Sequence, residues 1–234
     1  MINKILDGIV SFLYPRGLTC VICHCETDNV DLCDICKGSL QFNIGKVCKY
    51  CGRMIHVSDY LVCDNCKMLD RHFDAGTSVV LYDDFVKKMI FNLKYYDKRY
   101  IGATMADMIL KKIVALDLDI DFDFIVPIPL HGSKKRSRGY NQAKLIADEL
   151  SKITGITVNN SLIRIKETRP LNKLSVKERQ ETLFEAFALN SQIKGNIILV
   201  DDIFTTGTTV NTCSQLLKNH GSIYILVATY SVGE

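Results

Sequence analysis

Four C-x2-C units occur in order near the start of the chain: Cys20/Cys23, Cys33/Cys36, Cys48/Cys51 and Cys63/Cys66. No other feature restricts the fold as much. A two-residue gap lets both sulfurs of one knuckle reach a single tetrahedral ion at about 2.3 Å. Nine of the ten cysteines lie between Cys20 and Cys66, with Cys213 apart. Without an export signal, such clustering points to a reducing compartment and to metal, not disulfides. Two four-thiolate zinc sites are expected, filled in sequence by the first two pairs and then the last two. A cross-braced arrangement, first with third and second with fourth, competes with it. Gly52, directly after Cys51, suits a knuckle that needs positive φ. His24 and Cys25 are left over beside the first knuckle. Four thiolates leave no open position for water, so these zincs are expected to be structural and to supply folding free energy.

The first ~70 residues hold too few apolar side chains to form a core alone. A zinc-bearing region over residues 1–74 is therefore expected, followed by a larger domain over 75–234. In the second region strand and helix candidates alternate. Strands are read at 77–82, 123–129, 196–202 and 222–230, with helical stripes at 84–96, 101–115, 140–153 and 208–219. This alternation predicts a parallel sheet flanked by helices, an α/β architecture. The opening MINKILDGIVSFLYP is interrupted by Asp7 and Gly8 and lacks a small-residue cleavage site, so it does not read as a signal peptide. No apolar run reaches the roughly 18 residues of a membrane span. A cytoplasmic protein is expected. Its net charge of +3 is too small to argue for nucleic acid by itself.

Residues 197–209 read IILVDDIFTTGTT. A buried strand here ends in two adjacent carboxylates, and a hydroxyl-rich turn leads into a helix. In open parallel sheets ligands sit beyond the carboxyl ends of strands. Asp201 and Asp202 placed there can hold two vicinal hydroxyls and bias a nearby Mg²⁺ through charge. Backbone N–H groups at the turn, with a helix behind them, suit a phosphate. Thr205, Thr206, Thr208 and Thr209 add hydroxyls, and Gly207 permits close approach of the backbone. Either half alone would suit a solvated aspartate pair or an ordinary threonine cap. Joined in this order, the two halves match a ribose 5-phosphate. A second feature is the basic segment after Pro129, carrying Lys134, Lys135, Arg136, Arg138 and Lys144 with no acidic residue among them. It suits a multiply charged anion, or simply a solvated surface.

IILVDDIFTTGTT is similar to the phosphoribosyl-pyrophosphate (PRPP) signature of type I phosphoribosyltransferases. With the cysteine pairs ahead of it, the chain resembles the ComF family, which takes part in natural competence and DNA uptake. LKYYDKR (93–99), VPIPLHGSKKRSRGYNQA (126–143) and LSVKER…AF (174–187) agree with that family. Leu171 and Thr182 stand where its pattern usually has glutamine and asparagine. The resemblance implies transfer of a 5-phosphoribosyl group from PRPP, bound with magnesium, to an acceptor, with release of pyrophosphate. Asp201 and Asp202 would serve as the catalytic, ribose-holding pair. Arg136 and Arg138, with Lys94 and Arg99, would contact pyrophosphate. Two further readings stay open: a single-stranded DNA-binding competence factor, with Tyr95, Tyr96 and Tyr140 as stacking candidates, and a PRPP sensor without turnover.

Overall fold

Runs such as IILV in residues 197–200 are apolar on both faces, which commits a strand to the interior of a covered sheet. The computed structural model builds such a sheet. It describes residues 20, 22–27, 32–55, 61–68, 70–95, 100–167 and 185–233. Two short helices belong to the cysteine-rich part, α1 (Asp34–Gly38) and α2 (Asp64–Lys67), followed by β1 (Ala75–Leu81), α3 (Asp84–Tyr95), α4 (Tyr100–Val114) and β2 (Phe124–Pro127). Next come α5 (Gly132–Arg138), α6 (Gln142–Thr154), β3 (Thr157–Val158), β4 (Leu162–Arg164) and β5 (Phe187–Leu189). The chain closes with β6 (Gly195–Phe204), α7 (Thr208–Asn219) and β7 (Ser222–Val232).

Five strands pair in parallel in the order β1-β7-β6-β2-β3, while β4 and β5 form a separate antiparallel pair. Helices cover the sheet: α4 packs on β1 and β7, α6 on β2 and β6, and α7 on β6 and β7. Successive strand residues divide between the two faces. Ile197, Leu199, Ile225 and Val227 join Val210, Cys213 and Leu217 of α7 in one apolar cluster, which also takes in Cys48, Cys51 and Cys66. This is the parallel, helix-flanked sheet that the strand–helix alternation predicts.

Contacts divide the chain into two compact units, Met1–Gln41 and Phe42–Glu234. The last two cysteine pairs therefore share a unit with the sheet. Their docking is tight. The Gly76 N–H donates to the Lys49 carbonyl at 2.9 Å, and the Ser78 hydroxyl donates to the Cys51 carbonyl at 2.8 Å. Gly52 has φ +73, and a Cβ there would lie 2.2 Å from the Ser78 nitrogen, so its glycine is required both for conformation and for room.

Most element bounds fall within two residues of those read from sequence. The basic segment differs, since residues 132–138 form helix α5, with His131 accepting from the Ser133 N–H at its start and Gly139 (φ 86) closing it. No apolar stripe marks this short polar turn in the sequence. The short strands β3, β4 and β5 are also additions. Among the described residues no helix is long and apolar enough to cross a membrane.

Candidate functional site

The strand order reverses its spread between β6 and β2. The β6–α7–β7 connection runs toward one edge, and β2–α5–α6–β3 runs toward the other. Such a switch point opens a crevice beyond the carboxyl ends of the two strands. Pro127 pairs with Val200, and the Ile128 N–H donates to the Val200 carbonyl at 2.9 Å. The two segments singled out in the sequence, 128–141 and 201–209, thus leave neighbouring strands at one end of the sheet. Asn141 secures the first of them, accepting from the Ala143 N–H as cap of α6 and donating to the Ile128 carbonyl at 2.8 Å.

Asp201 and Asp202 are half-buried in the last turn of the ladder, and β6 continues two residues past them to Phe204. Asp201 pairs across with Thr229 of β7. Its carboxylate accepts the Asp202 N–H at 2.9 Å, while the Asp202 carbonyl accepts from the Ser231 hydroxyl at 3.4 Å. Thr205 and Thr206 are exposed. The buried Gly207 takes φ 77 and caps α7 without a side-chain bond. Thr206 and Thr208 share a hydroxyl contact of 2.8 Å. The Asn211 N–H donates to the Gly207 carbonyl at 2.9 Å, the first bond of α7. The N–H groups of Thr208, Thr209 and Val210, at the helix start, have no carbonyl one turn back within the helix. The Thr208 N–H turns to the Thr206 hydroxyl at 3.4 Å.

Sequence reasoning missed Arg164, at the end of β4. Its guanidinium lies 5.2 Å from the centroid of the Phe187 ring. Burial lowers its pKa, and the negative charges of Glu167 and Asp201 oppose that fall. The residue stays a cation, partly desolvated at the end of β4. Cys213, fully buried in α7, is pushed well above the usual thiol range by burial first and by Asp201 second. It is a neutral, unreactive filler. No local pattern in LIRIK would have marked Arg164.

The basic side chains divide. Lys134, Lys135 and Arg136 of α5 are exposed. Arg138 donates to the Gln142 side-chain oxygen at 2.6 Å. Lys144 instead lies in α6, paired with Asp148 at 2.7 and 2.8 Å. Tyr140 donates its hydroxyl to the Leu93 carbonyl, which ties the turn before α6 to α3. Lys94 falls in the last turn of α3. Arg99, Tyr96, Leu171 and Thr182 lie outside the described residues.

Both thiolate clusters are sequential. In each of the sets Cys20/Cys23/Cys33/Cys36 and Cys48/Cys51/Cys63/Cys66 the sulfurs lie within 4.8 Å of one another. A tetrahedral ion at about 2.3 Å from each sulfur places them ~3.8 Å apart. The Cys23–Cys33 and Cys51–Cys63 sulfurs stand at 3.6 and 3.7 Å. Backbone N–H groups of Cys36 and Cys63 point at the Cys33 and Cys48 sulfurs at 3.4 Å, as suits thiolates. Both sets fit zinc. The cross-braced pairing is not the one formed. Cys25 lies 3.2 Å, sulfur to sulfur, from Cys23, outside the set of four.

Residues 9–67 match the family model described as a double zinc ribbon domain. The chain is 30% identical over 212 residues to competence protein F of Haemophilus influenzae, covering 81% of this chain and 91% of that protein. It is also 30% identical to competence protein ComFC of Bacillus subtilis, covering 81% and 79%. The DNA utilization protein YhgH of Escherichia coli K12 is 26% identical, covering 84% and 94%. Among solved structures, the sheet resembles a purine phosphoribosyltransferase from Pyrococcus horikoshii at 16% identity and a TM-score of 0.35, over 55% of this chain and 70% of that one. An adenine phosphoribosyltransferase is similar at 13% identity and a TM-score of 0.37, over 64% and 86%. These scores are too low to carry any inference about activity. The competence proteins match along most of both sequences, and the chain belongs to the competence protein F family.

Proposed function

We propose that the chain binds PRPP at the carboxyl end of β6 and transfers its 5-phosphoribosyl group to an acceptor, releasing pyrophosphate. One observation carries this reading: the Asp201–Asp202 pair and the Gly207 turn follow one another at the switch point of a parallel sheet. On this reading the two carboxylates hold the ribose hydroxyls. The N–H groups of residues 208–210, with the threonine hydroxyls, take the 5-phosphate. Arg136 and Arg138, at the end of α5, would contact the pyrophosphate, with Lys94 and Arg99 as further contacts. Hard oxygen donors suit magnesium, which would enter with the pyrophosphate and offset its charge.

The reaction needs no protein nucleophile. Bond breaking at the anomeric carbon is favoured by holding the ribose, neutralising the leaving pyrophosphate and excluding water. The ligand site falls within 75–234, and the thiolate clusters within 1–74 give the protein its zinc and a reason to work in a reducing cytosol. Pyrophosphate release from PRPP and magnesium, in the presence of candidate acceptors, tests the reading. Asp201→Asn with Asp202→Asn should abolish release, and unchanged release would refute the assignment.

A second reading is favoured by the three exposed cations of α5 and by relatives named for DNA utilization. Here the chain binds single-stranded DNA, with PRPP as a signal or unused. Log–log salt titration of oligonucleotide affinity gives the number of phosphates engaged. Charge reversal at Lys134, Lys135 and Arg136 should flatten the slope. An unchanged slope excludes this helix as the contact.

A further inference from the structure

The second thiolate cluster does more than dock on β1. The Cys48/Cys51 knuckle and the Cys63/Cys66 knuckle each reach one end of the segment 204–211. From the first knuckle, Arg53 donates its guanidinium to the Gly233 carbonyl. The Gly233 N–H in turn donates to the carbonyl of Phe204 at 2.8 Å, the residue that feeds Thr205. From the second knuckle the chain runs through Asp70 to His72. There the Asn211 amide donates to the Asp70 carbonyl at 2.7 Å and accepts the His72 N–H at 2.8 Å. Asn211 is only 8% exposed, and its own N–H closes the turn on Gly207 at 2.9 Å. A ring relay runs in parallel. Tyr50 meets Phe73 edge-on at 6.1 Å, and Phe73 meets Phe204 at 6.3 Å. Arg71 stacks 3.8 Å above Tyr50. The entry and the exit of the threonine turn are thus fixed to different knuckles of one metal cluster.

We propose that the second thiolate cluster brackets the phosphate turn, with Arg53 and Asn211 as the positioning residues that transmit its geometry. The proposal rests on reading residues 205–209 as the phosphate seat. A zinc ion joins the two knuckles into one body, so it fixes the distance between Phe204 and Asn211. Without the ion the two tethers are joined only through β1 and the Tyr50–Phe73 contact, and the turn is held less firmly before any ligand arrives. Coupling of this kind is reciprocal in free energy. A ligand that orders the turn must also retain the metal.

The test uses the full zinc-loaded chain and a chromogenic chelator that reports zinc release. At equilibrium, PRPP with magnesium should raise the chelator concentration that removes half of one of the two zincs by about fivefold or more, the low end of ordinary coupling. Asn211→Ala and Arg53→Met should bring that factor toward one, and Arg53→Lys should restore part of it. Calorimetry on the same samples shows whether PRPP binds. Saturable PRPP binding with no change in the chelator midpoint of either zinc overturns the proposal. If PRPP does not bind at all, the phosphate-seat reading fails, and the bracket is judged by amide exchange alone. Exchange at residues 204–211 should then quicken by about tenfold or more in Asn211→Ala and Arg53→Met, as for a local opening that has lost its tethers, while α6 stays protected. Unchanged exchange at 204–211 refutes the bracket.

Discussion

Replacing Gly76 by alanine tests how firmly the second thiolate cluster is fixed to the sheet. Gly76 lies in β1 with an ordinary φ, so the substitution adds volume without backbone strain. A Cβ there would stand 1.9 Å from the Tyr50 carbonyl oxygen and 2.8 Å from its carbon. Carbon–oxygen contacts normally settle near ~3.3 Å, so the knuckle must retreat by more than about 1 Å. The obstacle is main chain, tied back to β1 by the Gly76–Lys49 hydrogen bond of 2.9 Å. Overpacking of this kind costs about 3 kcal/mol, the upper part of the usual range. The lower entropy of the unfolded chain offsets roughly 0.4–1 kcal/mol of it. A net loss near 2–3 kcal/mol lowers Tm by about 4–12 °C for a chain of this size. Thermal unfolding followed by circular dichroism measures this, with zinc content assayed on the same sample. Gly38→Ala is the control, because a Cβ at Gly38 meets nothing within 4 Å and alanine favours its helix. A Gly76→Ala protein that melts within about 1 °C of the parent, far less than 2 kcal/mol would produce, and keeps all its zinc would refute the docking argument.

Three further outcomes are expected. Zinc analysis should give two ions per chain, one for each set of four sulfurs, and Cys36→Ser should leave one; a parent value near one would contradict the sequential pairing. Burial, with Asp83 adding to it, raises the Tyr230 pKa. The native state therefore keeps a proton that the unfolded chain loses above about pH 10. Stability should be intact below that pH and fall as pH rises past it, by up to ~1.4 kcal/mol per unit. Urea unfolding from pH 8 to 11 should show this slope reduced in Tyr230→Phe, and equal slopes would count against it. Lys144→Met should change stability by less than ~1 kcal/mol, since both partners of its ion pair with Asp148 are about 40% exposed; a larger loss in the same assay would give that pair an unexpected role.

Much of the site could be read from the chain because its signals are local. Apolar runs of strand length mark β6 and β7, and the two-residue gaps mark the thiolate knuckles. The dipeptide Asp201–Asp202, the threonines and Gly207 are contiguous, so one element carries both halves of the proposed ligand seat. The connections that brace this seat were not legible. Asn211 meets Asp70 and His72, and Arg53 meets Gly233, across more than 130 residues of sequence. No periodicity or spacing records such pairs. Arg164 lies on the β4–β5 pair, which forms outside the main sheet, and no local pattern marks it. Helix α5 was not legible because Gly-Ser-Lys-Lys-Arg-Ser-Arg has no apolar face. Its capping by His131 and Gly139 makes the turn, and neither residue is a strong signal alone. The knuckles at 48–66 resemble the first two pairs in composition, although they share one apolar cluster with Phe73 and the α7 face of the sheet.

Calorimetric titration of the zinc-loaded chain with PRPP and magnesium tests the central claim most directly. Saturable binding to one site per chain is expected, lost when Asp201 and Asp202 are both changed to asparagine. No measurable heat with the parent protein, or equal binding by the double variant, would contradict a ribose 5-phosphate site at the end of β6.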